Sequence, residues 1–246
     1  MPSRVPRLRG NSPLRSGPYP LGEFPDSVVI AIGQHVFHRI AVGHYDITGD
    51  DFASMFADAI SGEHREKPLG VADVVWEGCA WSAKTVKVEK PFSCKKVRFI
   101  SGRNSPDYSS GISDPRKDAG KTGRAVLEIW NARIDQSLNQ HDDLRIVGFI
   151  RNMAAMEFAL FEYEAVRFPP GEYHWEFNKR GNLEGFDINS GKHCFTWQPH
   201  GSQFTVIKDV PASSYKFRIA KHPGMLEMRH VLRLAGFKES LIERVY

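Results

Sequence analysis

The alternation of apolar and polar residues around residue 75 predicts a β-hairpin. Residues 74–76 (VVW) are strand formers, a Glu-Gly turn follows, and a second strand ends in residues 82–84 (SAK). Successive side chains of a strand point to opposite faces, so Ser82 and Lys84 share one face of the second strand. The acidic residue that enters the hairpin, Asp73, is expected to reach that same face.

Two further segments show the three- and four-residue spacing of amphipathic helices. The first begins at Asp50, the predicted N-cap, and ends at Gly62. The second covers residues 123–138, and its buried stripe consists of Val126, Leu127, Trp130, Ile134 and Leu138. Residues 27–42 mix apolar runs with a glycine and are compatible with either a strand or a helix.

Three stretches between and after these segments have the pattern of strands: residues 85–100, 144–149 and 156–168. Strands that alternate with helices in this order suit a mixed sheet with helices packed against it. We therefore expect an α/β (α+β) fold.

The C-terminal part is aromatic and rich in strand formers over residues 171–220. Turn signals recur at residues 179–182, 189–191 and 200–201. A helix is predicted over residues 225–234, with a glycine stop at 236 and a short second helix after it.

Two segments lack a regular pattern. Residues 1–25 combine repeated proline and glycine with arginine, which predicts a flexible or wrapping arm. Such an arm could follow a phosphate backbone, or it could only increase solubility. Residues 101–122 are rich in Gly, Ser, Pro and Asn and predict a long loop, either functional or mobile.

Composition narrows the class of protein. The 246 residues are 41% hydrophobic and 25% charged, as in a soluble globular protein, and the net charge is +4. No run approaches the ~20 apolar residues of a membrane span, and no secretory signal is visible. Three cysteines without CxxC spacing argue against a disulfide framework or a zinc site and suit a reducing cytoplasm.

An acid and a lysine at the open edge of a hairpin can hold a divalent metal and orient a water for phosphodiester cleavage. The pattern resembles the PD-(D/E)XK nucleases, in which an Asp and a short hairpin precede (D/E)-x-Lys. Asp73 matches the first acid and Lys84 the lysine, whereas Ser82 stands where the second acid normally is. The resemblance implies a mixed sheet flanked by helices, a catalytic core over residues 26–168, and a β-rich DNA-recognition part with C-terminal helices over residues 169–246. The alternative is that these two parts form one continuous domain.

The serine leaves one metal ligand to be supplied from elsewhere. Some type II restriction endonucleases with a Ser-x-Lys form take this carboxylate from a glutamate on a following helix. That resemblance makes Glu128 the candidate here, with Glu89 and Asp51 as alternatives. Asp73 and Glu128 would then ligate Mg2+, Lys84 would orient or deprotonate the attacking water, and Ser82 would donate a hydrogen bond at the site.

The implied activity is that of a type II restriction endonuclease, which hydrolyses double-stranded DNA at a specific sequence in a Mg2+-dependent reaction. A palindromic target implies a homodimer, with a tetramer as the alternative. Rival hypotheses are a non-specific repair or phage-type nuclease, an inactive DNA-binding module, and an ordinary edge hairpin. The predicted DNA contacts, all hydrogen-bonding or cationic side chains, are Arg103, Asn104, Ser105, Lys121, Arg124, Asn131, Gln198, His200 and Gln203.

Overall fold

Helices and two β-sheets make up the computed structural model, which describes residues 17–66 and 70–242. The helices within these ranges are α1 (Asp26–Ala41), α2 (Gly49–Ala59), α3 (Pro106–Ser110), α4 (Ala119–Leu138) and α5 (Met228–Leu234). The strands are β1 (Glu63–His64), β2 (Val74–Trp76), β3 (Cys79–Lys87), β4 (Lys96–Arg103), β5 (Asp143–Asn152), β6 (Glu157–Glu164), β7 (Tyr173–Phe177), β8 (Leu183–Asp187), β9 (His193–Gln198), β10 (Gln203–Asp209) and β11 (Tyr215–Arg218). The predicted mixture of helices and strands is confirmed.

The first sheet has the strand order β1-β2-β3-β5-β6-β11. β3 and β5 run parallel, and the other neighbours are antiparallel. The second sheet has the order β4-β10-β9-β8-β7 and is antiparallel throughout. The parallel pair requires a crossover, and α4 lies within the connection that returns the chain to β5.

The two faces of the first sheet pack against different layers. Trp81 and Ala83 of β3 lie in a core cluster with α1 and α2, whereas Ala80 lies in a cluster with α4 and the second sheet. Ser82 and Lys84 follow the parity of Ala80, so they face α4. The predicted hairpin and its division of side chains between two faces are confirmed.

The N-terminal half contains two more predicted elements. Residues 27–42, compatible with strand or helix, form α1. α2 is also confirmed, but its N-cap is Thr48 rather than Asp50. The Thr48 side chain accepts from the backbone of Asp51, whose carboxylate accepts from the backbone of Thr48, which is a capping box.

Two predictions for the middle of the chain are wrong. Residues 85–100 do not form one strand, because β3 ends at Lys87 and a 3-10 turn at Pro91–Ser93 leads into β4 of the other sheet. Residues 101–122 are not one long loop. They contain the end of β4, the whole of α3 and the start of α4, whose N-cap is Asp118.

The C-terminal part follows its turn signals, which fall between β7 and β8, β8 and β9, and β9 and β10. α5 begins three residues later than predicted, Gly236 follows it with a φ of 72°, and a 3-10 turn at Glu239–Leu241 takes the place of the short second helix. The sheets do not separate at residue 168, because β4 pairs with β10 and β11 pairs with β6.

The predicted N-terminal arm is described only from residue 17 onwards. Residues 17–25 are not a free arm, because Tyr19 and Phe24 are buried in the core cluster of α1 and α2. Tyr19 also donates a hydrogen bond of 2.8 Å to the buried carboxylate of Glu162. Among the described residues, no helix is long and apolar enough to cross a membrane.

Candidate active site

The predicted hairpin brings three of the predicted site residues together around one carboxylate oxygen. Asp73 Oδ2 accepts hydrogen bonds from Ser82 Oγ at 3.1 Å, from the Ala83 backbone N–H at 2.9 Å and from Lys84 Nζ at 3.1 Å. All three donors reach Oδ2, so the second oxygen, Oδ1, takes none of these bonds. Oδ1 is therefore the atom of Asp73 that can bind a further ligand.

Strand pairing fixes the position of Asp73. Val74 pairs with Trp81 in the antiparallel hairpin, and the backbone N–H of Asp73 donates to the Trp81 carbonyl at 2.8 Å. Asp73 thus lies opposite Ser82, one residue before β2 begins. A two-residue turn at Glu77 and Gly78 sets this register, and local sequence was therefore enough to predict the contact.

The site is recessed but accessible. Ser82 is 1% exposed, whereas the side chains of Asp73 and Lys84 are 23% and 19% exposed. Partial burial lowers the effective dielectric around the ion pair and limits screening by salt. A phosphate that reached this position could contact Lys84 without displacing a buried side chain.

Arg133 of α4 is a second cation at the site, and the motif did not predict it. Burial lowers its pKa while the charge of Asp73 raises it, so the two groups are close enough to interact. Its guanidinium donates to the Ser101 carbonyl at 2.7 Å and to the Gly70 carbonyl at 3.2 and 3.3 Å. An arginine keeps its charge under such conditions, so the site holds two cations and one carboxylate.

The sequence carries a signal for Arg133 that lies outside the hairpin motif. Arg133 follows Val126 by seven residues and Trp130 by three, so it shares the buried face of α4. Charged residues are rarely buried without a partner. An arginine within an apolar helical stripe therefore indicates a specific acceptor or anion nearby.

Glu128 is not brought to Asp73 by the structure. It is exposed, and five residues separate it from Arg133 on α4. At 3.6 residues per turn, Glu128 points about 140° away from Arg133. A metal-ligand role for Glu128 stays a prediction that the structure does not support.

The two alternative carboxylates are also placed elsewhere. Asp51 belongs to α2, on the opposite face of the first sheet, and its carboxylate is engaged by Arg39 at 2.5 Å and by the capping box. Glu89 is exposed beyond the end of β3, where its backbone carbonyl accepts from Asn152 at 2.6 Å. The preference for Glu128 over Glu89 assumed that β3 continued straight, which it does not.

The donor set fits Mg2+ only if the substrate contributes. In residues 17–66 and 70–242, no three His, Cys, Asp or Glu side chains cluster as a metal-binding group. Mg2+ is commonly held by one or two carboxylates together with substrate phosphates and water, rather than by a cage of protein ligands. Asp73 Oδ1 can supply one such carboxylate, so the site fits a metal ion that arrives with a phosphate.

Two predicted DNA contacts have structural roles instead. Asn104 is 0% exposed and donates to the Val126 carbonyl at 2.9 Å. The side chain of Asn131 bonds both the N–H and the carbonyl of Phe168, each at 2.8 Å. Asn104 is not available to a base edge because it is buried, and Asn131 is not available because both of its polar atoms bond the backbone of Phe168.

The remaining predicted DNA contacts are at least partly accessible. Arg103, Lys121, Arg124 and His200 are exposed, while Gln198 and Gln203 are half-buried at the ends of β9 and β10. Ser105 caps α3, where its hydroxyl accepts from the backbone at 3.5 Å. Contact with DNA remains a prediction for these seven residues.

No family model matches this chain, and no curated protein or solved structure matches it. The resemblance to PD-(D/E)XK nucleases therefore depends on the hairpin motif alone. What the molecule itself supplies is the contact of Asp73 with Ser82 and Lys84, together with the charge of Arg133, whose pKa the charge of Asp73 raises.

Proposed function

We propose that the protein hydrolyses DNA phosphodiesters in a Mg2+-dependent reaction at the Asp73–Lys84 site. The observation that carries the proposal is the ion pair of 3.1 Å between Lys84 Nζ and Asp73 Oδ2, whose side chains are 19% and 23% exposed. Cleavage at a specific double-stranded sequence, as by a type II restriction endonuclease, is the form that the motif resembles.

Each side chain has a distinct task in this reaction. Asp73 offers Oδ1 as a metal ligand, and Ser82 and the Ala83 N–H hold the carboxylate in position through Oδ2. Bound Mg2+ would polarise the phosphate and lower the pKa of a coordinated water. Lys84 orients the attacking water and stabilises negative charge that develops on the phosphorus oxygens.

Arg133 contributes fixed positive charge rather than a moving proton. Its two hydrogen-bonded carbonyls, Ser101 and Gly70, fix the position of the guanidinium. A charge held before the substrate arrives needs no reorganisation during the reaction. We assign Arg133 a positioning and electrostatic role, since its donors are directed to the backbone.

A second candidate function is DNA binding without cleavage. Ser82 stands where an acid would be, and Glu128 is exposed and points away from Arg133, so Asp73 is the one of the two predicted metal ligands that supports a metal site here. Two cations against one carboxylate can also bind a phosphate without any metal. The two candidates differ in whether Mg2+ produces cut DNA.

The test incubates the pure protein with long unmethylated phage DNA in Mg2+ or in EDTA. Lys84→Ala is compared with Lys87→Ala, a matched control because Lys87 is an exposed lysine on the same strand. We expect Mg2+-dependent cutting that falls by ~100-fold or more in Lys84→Ala, as when a charge-stabilising group is removed, and persists in the control.

The product pattern separates the alternatives. Discrete fragments would support sequence-specific cleavage, whereas a smear would indicate a non-specific nuclease. Intact DNA in every lane, with binding retained in a mobility shift, would favour the binding module. Cutting that survives Lys84→Ala would refute the proposed site.

Glu128→Ala is run in the same assay to test the predicted second ligand. Its exposed position leads us to expect that cleavage survives the substitution. Loss of cleavage with an unchanged unfolding transition would instead restore Glu128 to the metal site. The predicted homodimer is tested separately by sedimentation velocity, where a monomer at micromolar concentration would contradict it.

A further inference from the structure

We propose that a basic groove on the second sheet is a separate binding site for the phosphodiester backbone of nucleic acid. The groove consists of two adjoining concavities of about 430 and 490 Å³ that share residues 178–180. The cations that line it are Arg98, Arg116, Lys179 and Arg180. The proposal depends on the proposed function only in the choice of nucleic acid as the partner.

Arg98 enters the groove from β4, at the edge of the second sheet. Its side chain is exposed, and Nη2 donates to Thr196 Oγ1 at 2.5 Å. Thr196 is on β9, two strands away from β4 in the sheet order. This bond extends the guanidinium across the sheet surface, where its remaining donors can meet an anion.

The turn between β7 and β8 contributes two more cations. The Asn178 side-chain oxygen accepts from the backbone N–H groups of Arg180 at 2.9 Å and Asn182 at 3.1 Å. The Asn178 amide group donates to Glu184 Oε1 at 2.8 Å. These bonds fix the turn, so Lys179 and Arg180 project from a defined backbone and both are exposed.

Arg116 reaches the same turn from the segment before α4. A Cβ atom at Gly181 would lie 2.9 Å from Arg116 Nη2, and the φ of Gly181 is +78°. Glycine at this position therefore permits both the turn conformation and the close approach of the guanidinium. Arg116 is exposed, so a third segment of the chain adds positive charge to the groove.

The charge balance of the groove is strongly positive. Among the residues that line it, Glu184 is the acidic one, and its Oε1 already accepts from Asn178. Four cations against one carboxylate leave a net charge of +3. Lys179 and Arg180 line both concavities, whereas Arg98 and Arg116 each line one, so the charge extends along the groove.

This distribution suits a polyanion with regularly spaced charges better than one phosphate ion. Each contact between a cation and a backbone phosphate releases condensed counterions, which a small anion does not offer. The groove also contains the amides of Asn182 and Gln198, which can bond base edges or sugar oxygens. We therefore choose nucleic acid over other polyanions.

The test measures binding of the full chain to a fluorescently labelled 30-base-pair DNA duplex by anisotropy. EDTA is present throughout, so binding is observed without cleavage, and the NaCl concentration is varied. The groove variant is Lys179→Ala with Arg180→Ala. The control is Lys216→Ala with Lys221→Ala, which removes two exposed lysines outside the groove.

We expect the groove variant to bind about tenfold more weakly than the control near physiological salt, through two lost phosphate contacts. The slope of log K against log salt should become shallower by about 1.8. Arg98→Ala is expected to weaken binding in the same direction. Thermal unfolding of each variant establishes that it is folded.

Four results would overturn the proposal. The groove variant could bind like the wild type, or the control could lose as much affinity, which would reflect net charge alone. Inorganic phosphate could displace the duplex more strongly than chloride at equal ionic strength, which would indicate a site for free phosphate. Loss of heparin binding with unchanged DNA binding would indicate another polyanion.

These outcomes are independent of catalysis. A wild type that binds through the groove but never cuts with Mg2+ would refute the proposed function and keep the groove. A groove variant that binds and cuts like the wild type would refute the groove and keep the proposed function.

Discussion

Ser82 donates a hydrogen bond of 3.1 Å to Asp73 from the strand position that carries an acid in the PD-(D/E)XK pattern. The serine is 1% exposed, so its hydroxyl is held inside the site rather than in solvent. A neutral donor stabilises the Asp73 carboxylate, whereas a second carboxylate at this position would compete with it for cations. Within the proposed function, serine at this position would weaken metal binding and stabilise the metal-free form of the site.

Ser82→Asp is therefore expected to create a stronger Mg2+ site. Without metal, repulsion between two carboxylates should lower the melting temperature, because one of them loses a donor and gains a like charge. With Mg2+ in excess, binding to the native state should restore stability, by about 2.7 kcal/mol at a concentration 100 times Kd. Thermal unfolding with and without 10 mM Mg2+ measures this difference.

Ser82→Asn is the matched control for that experiment, because asparagine has the same size as aspartate but carries no charge. Its melting temperature should respond to Mg2+ no more than that of the wild type. Equal responses of the two variants would show that residue 82 does not face the metal position.

Local sequence was sufficient for the part of the site that lies within one hairpin. Asp73, Ser82 and Lys84 are eleven residues apart at most, and the two-residue turn fixes their register. Arg133 could not be placed in this way. Its charge acts on Asp73 because α4 packs against the first sheet, which depends on contacts over more than 50 residues of sequence.

A close contact between Gly123 and Trp175 connects α4 to the second sheet. A Cβ atom at Gly123 would lie 2.1 Å from the Trp175 ring, and the ring is itself buried against Phe195. Gly123→Ala should therefore destabilise the protein by about 1–3 kcal/mol through overpacking, although alanine favours helices by about 1 kcal/mol. Urea unfolding measures the change.

Gly120→Ala on the same helix serves as the control. Its Cβ atom would be 3.4 Å from the end of the Arg124 side chain, which can move. At this position only the higher helix propensity of alanine should act, and the free energy of unfolding should rise by about 0.5–1 kcal/mol. If Gly123→Ala were as stable as Gly120→Ala, the packing of Trp175 on α4 would be refuted.

The errors of sequence prediction have the same cause as the failure of the motif to predict Arg133. Residues 85–100 alternate like one strand, yet β3 and β4 separate into two sheets because each finds a distant partner, β5 and β10. Alternation of apolar and polar residues indicates that a residue lies in a strand, but it does not indicate which strand pairs with it. For the same reason, the local sequence pattern could not predict that β4 pairs with β10 or that β11 pairs with β6.

The contact between Arg151 and Asp46 makes the stability of the protein decrease at acidic pH. It bonds both carboxylate oxygens of Asp46, at 2.7 and 3.1 Å, and these hydrogen bonds hold the pKa of Asp46 below its ordinary value of 3.8. A carboxyl group with a lowered pKa in the folded state stabilises it above the unfolded pKa. That contribution is lost as the pH falls through the folded pKa.

Asp46→Asn should consequently be less stable than the wild type at pH 7. The difference should stay constant down to about pH 4 and shrink at lower pH, since the wild type then loses the same charge. Urea unfolding at pH 7, 5, 4 and 3 follows this difference. A gap that stays constant to pH 3 would show that the ion pair with Arg151 does not carry the effect.

Tyr19 fixes the N-terminal segment to the first sheet through a buried carboxylate. Glu162 is wholly buried, and it accepts from Tyr19 at 2.8 Å, from Trp81 at 2.6 Å and from the Gly22 backbone at 3.1 Å. Burial raises the pKa of Glu162, and these donors together with Arg145 oppose the rise. Each donor lost leaves the buried carboxylate less well compensated.

Tyr19→Phe keeps the ring in the core and removes only the hydroxyl. We expect a loss of about 1.5–3 kcal/mol in the free energy of unfolding, the range for a hydrogen bond to a charged group. Tyr45→Phe is the control, because Tyr45 is 83% exposed and its change should stay within about 0.5 kcal/mol. If the two variants unfolded at the same urea concentration, the segment would not be held by Glu162, and residues 17–25 would behave as the arm that the sequence predicts.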